Sequence, residues 1–115
     1  MYKRGEIYLA RLNPSKGKEP GKIRPVIIYQ TDFLNDVGHP TTTVIPITTK
    51  LIDKAYPLRY RVQKRDKMDA DSDAILDQIR TIDNSRIVGE KIAALSEVEL
   101  KNIDKQMIIV LGINQ

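Results

Sequence analysis

The sequence predicts a mainly β domain: a small antiparallel barrel with a C-terminal α-helix packed on its surface. Two observations carry that reading. Five or six short segments are β-branched or alternate apolar with polar side chains, and Gly- and Pro-bearing stretches separate them. A single well-capped amphipathic segment then closes the chain, which is the layout of a small barrel with one covering helix. At 115 residues the chain is long enough for one core and too short for two, so residues 1–115 are expected to form one domain.

The first strand lies within Tyr2 to Leu12, with Ile7 and Leu9 on one face and Tyr8, Ala10 and Leu12 on the other. A long loop, NPSKGKEPGK (13–22), follows, rich in Pro, Gly and Lys; long basic loops are often functional. The second strand is expected over 24–30. TDFLNDVGHP predicts a short helical turn capped by Thr31 and broken by Gly38 and Pro40. The third strand, 42–48, is β-branched almost throughout, and Pro46 places it at an edge or a bulge because proline cannot donate to a ladder. In the fourth, Leu58, Tyr60 and Val62 point inward and Arg59, Arg61 and Gln63 outward.

RDKMDADSD turns the chain in solvent, and its DADSD segment lacks the glycine and terminal glutamate of a calcium loop. A fifth strand from Ala74 to Ile82 sets Ile75 and Ile79 against Leu76, Gln78 and Arg80. RIVGEKIAAL supplies a closing strand or turn with Gly89 at a tight position. Ser96-Glu97-Val98-Glu99 is a capping box, after which Leu100, Ile103, Met107 and Val110 recur at helical spacing.

The 41% hydrophobic and 30% charged content is ordinary for a globular chain. No apolar run approaches the ~18 residues of a membrane span, no secretory h-region follows the N-terminus, and there is no cysteine. These features fit a cytoplasmic protein and exclude disulfide or thiolate chemistry. The net charge of +4 originates in residues 1–30, where seven basic side chains face Glu6 and Glu19. Such a cluster suits a polyanion, RNA or DNA, or an acidic protein segment, and equally suits a solvated surface.

Ordinary enzyme signatures are missing. The one histidine, His39, reads as a loop residue, which excludes catalysis by a histidine pair within one chain. Neither zinc-ligand spacing nor a phosphate-cradling glycine pattern occurs, so no cofactor is expected. Three polar groups stand at strand ends instead: Glu19 with Arg24-Pro25-Val26; Pro46-Ile47-Thr48-Thr49-Lys50; and Asp77-Gln78-Ile79-Arg80-Thr81-Ile82-Asp83. Taken singly, each has an ordinary explanation: a surface ion pair, β-propensity, or a salt bridge from Arg80 to Asp77 or Asp83. Arg24 carries the most information. Burying a guanidinium is costly without a counter-ion, and the residue before a proline is held extended, so Arg24 belongs at a strand end facing a ligand or carboxylate.

In series, these segments resemble the MazF/PemK-type toxins of type II toxin–antitoxin systems. KRGEIYLARLNPSKGKEPGKIRPVIIYQ is similar to the family's N-terminal signature, VIPITTK to its V-x-P-[IV]-T-[ST] segment and DQIRTID to its Q-x-R-T-[IV]-D segment. Together they span nearly the whole chain in order. The resemblance implies an SH3-like antiparallel β-barrel (CcdB/PemK-like) with a C-terminal helix, assembled as a homodimer, with Met107 and Ile108 as interface candidates. It implies a metal-independent endoribonuclease that cleaves single-stranded mRNA at short sequences and so inhibits translation.

The family's catalytic arginine and threonine or serine fall on Arg24 and Thr48. Its RNA-contacting glutamate and glutamine fall on Glu19 and Gln78, and Lys16, Lys18, Lys22, Thr49 and Arg80 complete the expected RNA-binding set. A cognate MazE-like antitoxin with an acidic C-terminal tail is implied as the second partner. In this scheme Arg24 stabilises charge on phosphorus and Thr48 aligns the reacting groups, while the general base stays open. Two other readings stay open on the same fold: a non-enzymatic toxin that poisons DNA gyrase, and a plain nucleic-acid-binding barrel. The intact RPV and PITT segments weigh against the first.

Overall fold

The computed structural model describes residues 2–12 and 22–114. Along the chain these form β1 (Glu6–Leu12), β2 (Lys22–Ile28), α1 (Asp32–Asp36), β3 (Thr41–Thr48), β4 (Arg59–Val62), β5 (Ser72–Ile75), β6 (Arg80–Asp83), β7 (Ile87–Ala94) and α2 (Glu97–Val110). The strands make one antiparallel sheet in the order β4-β5-β3-β2-β1-β7, and β6 pairs with the first half of β3. Among the described residues β4 and β7 end this path and share no ladder.

Period-two alternation explains why both faces of the central strands are covered. Ile7, Ile27, Ile45 and Ile47 enter one apolar cluster, while their neighbours Tyr8, Ala10, Val26, Ile28 and Val44 enter another with Ile82 and Ile87. Helix α2 closes the first cluster by inserting Ile103 and Met107. Its start is the expected capping box, with Ser96 Oγ accepting from Glu99 N at 3.1 Å and Glu99 Oε1 accepting from Ser96 N at 2.8 Å. Glu99 also holds Arg65 in a two-pronged ion pair at 2.6 and 2.7 Å, which ties α2 to the turn after β4. The Thr31 cap on α1 forms as expected.

Several expectations change. The segment 74–82 is not one strand: Leu76–Gln78 form a 3₁₀ turn that separates β5 from β6. Ile75 and Leu76 are consecutive apolar residues, and the turn lets Leu76 enter the core, fully buried. Strand β3 is internal, with Pro46 opposite Val26 of β2. The missing donor is tolerated where the partner on the other side changes from β6, paired up to Val44, to β5, paired from Ile47. Leu58 precedes β4 and is 47% exposed, so only Tyr60 and Val62 of its expected apolar row turn inward.

The RDKMDADSD segment is not a wholly solvated turn, because Met68 is buried and Ser72 and Asp73 open β5 with buried side chains. Met107 is buried in the core, which removes it as an interface candidate and leaves Ile108 partly accessible. Gly89 does sit at a tight position, φ +74°, where β7 bulges relative to β1 between the pairs Ile7↔Ala93 and Leu9↔Val88.

Candidate nucleic-acid interface

The β2–β3 ladder places Val26 opposite Pro46. Continued by two residues in the same register, it sets Arg24 opposite Thr48, the last residue of β3, so the two side chains leave the same face of the sheet. Arg24 is not at the strand end expected for it but two residues inside β2, which starts at Lys22. Arg24 itself pairs with Ala10 of β1 and Thr48 with Asp73 of β5. Both residues are therefore framed by strands on each side, and both side chains are half-buried. The Thr48 hydroxyl accepts a hydrogen bond from Lys50 N at 3.2 Å. That fixes the oxygen while leaving its own proton to donate.

Two clefts meet at this pair. The first, about 570 Å³, is walled by Leu9, Ile23, Pro25, Ile47 and Ile92 and rimmed by polar side chains. The second, about 500 Å³, opens beside Leu12, Pro46 and Ile75 and is lined by Arg24, Lys50, Arg59 and Arg80. Among the described residues lining this second cleft there is no carboxylate. Arg24 and Thr48 line both. Such a space, cationic on one side and apolar on the other, fits a chain with charged linkages and flat bases.

The other expected RNA contacts divide between the clefts. Lys22 and Thr49 line the first, and Gln78 and Arg80 the second. Lys16, Lys18 and Glu19 lie outside the described residues. His39 lines neither cleft. Among the described residues no group of three or more His, Cys, Asp or Glu side chains is placed to hold a metal ion.

Sequence reasoning missed the support beneath the second cleft. Asp73 has a side chain only 1% exposed. It accepts from Arg61 Nε at 2.6 Å, Arg59 Nη1 at 3.2 Å and Ile52 N at 2.9 Å. Arg59 Nη1 also donates to Lys50 O at 2.9 Å, and Arg61 reaches Asp53 at 2.9 Å. This cluster clips the chain after Thr48 back onto β4 and β5. Burial by itself raises the Asp73 pKa, but the hydrogen bonds from Arg61, Ile52 N–H and Arg59 outweigh it and hold the group below the usual carboxylate range. The available signal was the Arg-x-Arg of β4 beside an acid on the next strand.

A family model described as "PemK-like, MazF-like toxin of type II toxin-antitoxin system" matches residues 3–111. The chain belongs to this family. An endoribonuclease MazF of Staphylococcus epidermidis is 40% identical over 115 residues, spanning 99% of this chain and 94% of its own. In fold, the chain is similar to the Mycobacterium tuberculosis toxin MazF-mt6, with a TM-score of 0.78 at 21% identity over 96% of this chain and 99% of that one. It is also similar to MazF in a MazE–MazF crystal structure from Deinococcus radiodurans, with a TM-score of 0.77 at 21% identity over 98% and 97%. The open-ended antiparallel sheet with its terminal helix is thus the MazF-like fold.

Proposed function

We propose that residues 1–115 form a single endoribonuclease domain, the toxin of a type II toxin–antitoxin pair, acting on single-stranded mRNA in the cytoplasm. The observation that carries the reading is the Arg24–Thr48 pair where two clefts meet. RNA holds its own nucleophile. When the 2′-oxygen lies in line with the leaving 5′-oxygen, it bonds to phosphorus as the P–O5′ bond breaks. The products are a 2′,3′-cyclic phosphate and a 5′-hydroxyl; the 2′-oxygen loses a proton and the 5′-oxygen gains one.

Alignment and charge stabilisation account for most of the acceleration such a site needs. The Arg24 guanidinium, held extended before Pro25, grips two non-bridging oxygens as negative charge grows on them. Thr48, its oxygen already engaged by Lys50 N, donates its proton toward the phosphate and orients the ribose. Lys50, Arg59 and Arg80 carry the neighbouring phosphates, and Gln78 meets a base edge. Lys22 and Thr49 extend the path into the first cleft; Lys16, Lys18 and Glu19 are assigned RNA contacts on sequence grounds alone.

The same cationic path suits an acidic antitoxin tail, which would exclude RNA by occupying it. The named relatives support this, since one is an endoribonuclease and one is bound to MazE. Two finer features complete the proposal. The sheet curls as an SH3-like barrel, for which the Lys67 N–H donating to Ile92 O of β7 at 3.1 Å is a partial seam. Two copies pair as a homodimer, with Ile108 at the interface.

The test is incubation of a long defined RNA with the protein in EDTA, with mapping of the ends. Site-specific cuts bearing 2′,3′-cyclic phosphate and 5′-hydroxyl termini are expected. Intact RNA under these conditions would overturn the proposal.

A further inference from the structure

The first cleft differs from the second in character, and the scheme above leaves most of it without a task. Its walls are aliphatic, and its mouth carries Lys67 and Asp69 from the turn between β4 and β5. We propose that this cleft is a base-reading pocket: it takes the base of a nucleotide adjoining the scissile phosphate, with Asp69 and Lys67 discriminating the edge of that base. The inference rests on the endoribonuclease reading of the Arg24–Thr48 pair and extends it to sequence choice.

Three observations carry it. Continuity is the first. Arg24 and Thr48 line this cleft as well as the cationic one, so a strand whose phosphate sits on them has a neighbouring base within reach of the pocket. Shape and chemistry are the second. A volume of about 570 Å³ with apolar walls and a few polar groups at the rim matches a site for a small flat group. Unpaired bases offer hydrophobic faces and polar edges to such a site.

Rigidity of the rim is the third. Met68, between the two readers, is buried in the core. Lys67 N donates to Ile92 O at 3.1 Å, and Met68 N donates to Arg65 O at 3.0 Å. Arg65 is clamped by Glu99, and Asp66 takes the left-handed conformation, φ +49°, that closes the turn. The backbone from Arg65 to Met68 is therefore held, and the Lys67 and Asp69 side chains that flank Met68 are exposed at the mouth. A held rim is what sequence discrimination requires, because a loose one would adapt to any base.

The chemistry sets what the pair can read. An ionised Asp69 is an acceptor only and needs an N–H on the base edge; Lys67 is a donor only and needs a carbonyl or ring nitrogen. The pair therefore reads an edge that sets an N–H beside an acceptor: the amino edges of adenine, cytosine and guanine, or N3–H beside O4 of uracil, with the spacing of Asp69 and Lys67 selecting among them.

The experiment maps every cut in a long RNA for the wild type, Asp69→Asn, Asp69→Lys and Ile23→Trp; Ile23 is half exposed, so the larger ring fills the cleft without entering the core. Circular dichroism checks that each variant is folded. Asp69→Lys is expected to change the preferred base at one position next to the cut and to slow cleavage at the wild-type site about tenfold. Ile23→Trp is expected to blur preference at the same position. Identical cut-site preferences in all four folded proteins would overturn the inference while leaving the nuclease reading intact. Unchanged preference combined with lost neutralisation by the antitoxin would also overturn it and assign the cleft to a protein partner. No cleavage by the wild type would refute the nuclease reading instead.

Discussion

Asp73 accepts a hydrogen bond from Arg61 Nε at 2.6 Å, although the carboxylate is almost wholly removed from solvent and the arginine is 39% exposed. With Arg59 and Ile52 N–H on its other oxygen, the acid fixes the segment that follows Thr48. Removing it strands two cations and an amide. Asp73→Ala is therefore expected to destabilise the fold by about 3 kcal/mol, less than a fully dry pair because the arginines reach water. The urea midpoint measures this, and a shift within error of zero would contradict it.

The Arg65–Glu99 pair predicts a specific acid response. The Arg65 hydrogen bonds, opposed by partial burial and aided by the Ser96 N–H, hold the Glu99 pKa down at about 2 from an ordinary 4.5. Because the folded value is depressed, the stabilisation is fully present above about pH 4.5 and is lost as pH falls toward 2. After discounting for the screening of a side chain that still touches solvent, the effect is on the order of 1–2 kcal/mol. Glu99→Gln should flatten the stability-versus-pH curve across that window. A variant curve parallel to the wild type's would argue against the pair.

Gly5 adopts φ +92°, and a Cβ there would come within 2.7 Å of Leu100 Cδ1 on α2. The leucine terminus can swing aside, so the persistent penalty is the backbone conformation, about 1–2 kcal/mol. Gly5→Ala is expected to lower stability by that amount, and adding Leu100→Ala should not recover it. Full recovery in the double variant would mean the side-chain clash dominates.

These cases mark what the residues disclosed and what they hid. The Ser96–Glu99 box and the β-branched run through Ile47 are local signals, and both elements formed as expected. The RPV, PITT and QIRT segments pointed to Arg24, Thr48, Gln78 and Arg80, and the folded chain brings all four to one cleft. The break after Ile75 was hidden because a 3₁₀ turn leaves no period of its own in three residues. Asp73 looked like one more acid in a hydrophilic turn; only pairing of β4 with β5 brings it beside Arg61. Lys67 and Asp69 were equally ordinary until the turn placed them beside Ile92.

The cationic cleft predicts how binding responds to salt. Each phosphate neutralised on a single strand contributes a slope of about −0.7 in a plot of log affinity against log salt. Lys50 lines the cleft through a side chain whose backbone is already held by Arg59. Lys50→Ala should reduce the slope by about 0.7 and weaken RNA binding at low salt for every sequence alike. An unchanged slope would remove Lys50 from the phosphate path.

The most direct test is single-turnover cleavage of one mapped RNA site in EDTA by the wild type, Arg24→Ala and Thr48→Ala, each verified as folded. Loss of one charge-stabilising donor typically slows a reaction about 100-fold or more. Arg24→Ala is predicted to lose at least that in the chemical step, and Thr48→Ala a comparable amount, with RNA binding reduced far less. Cleavage by either variant at the wild-type rate would contradict the account.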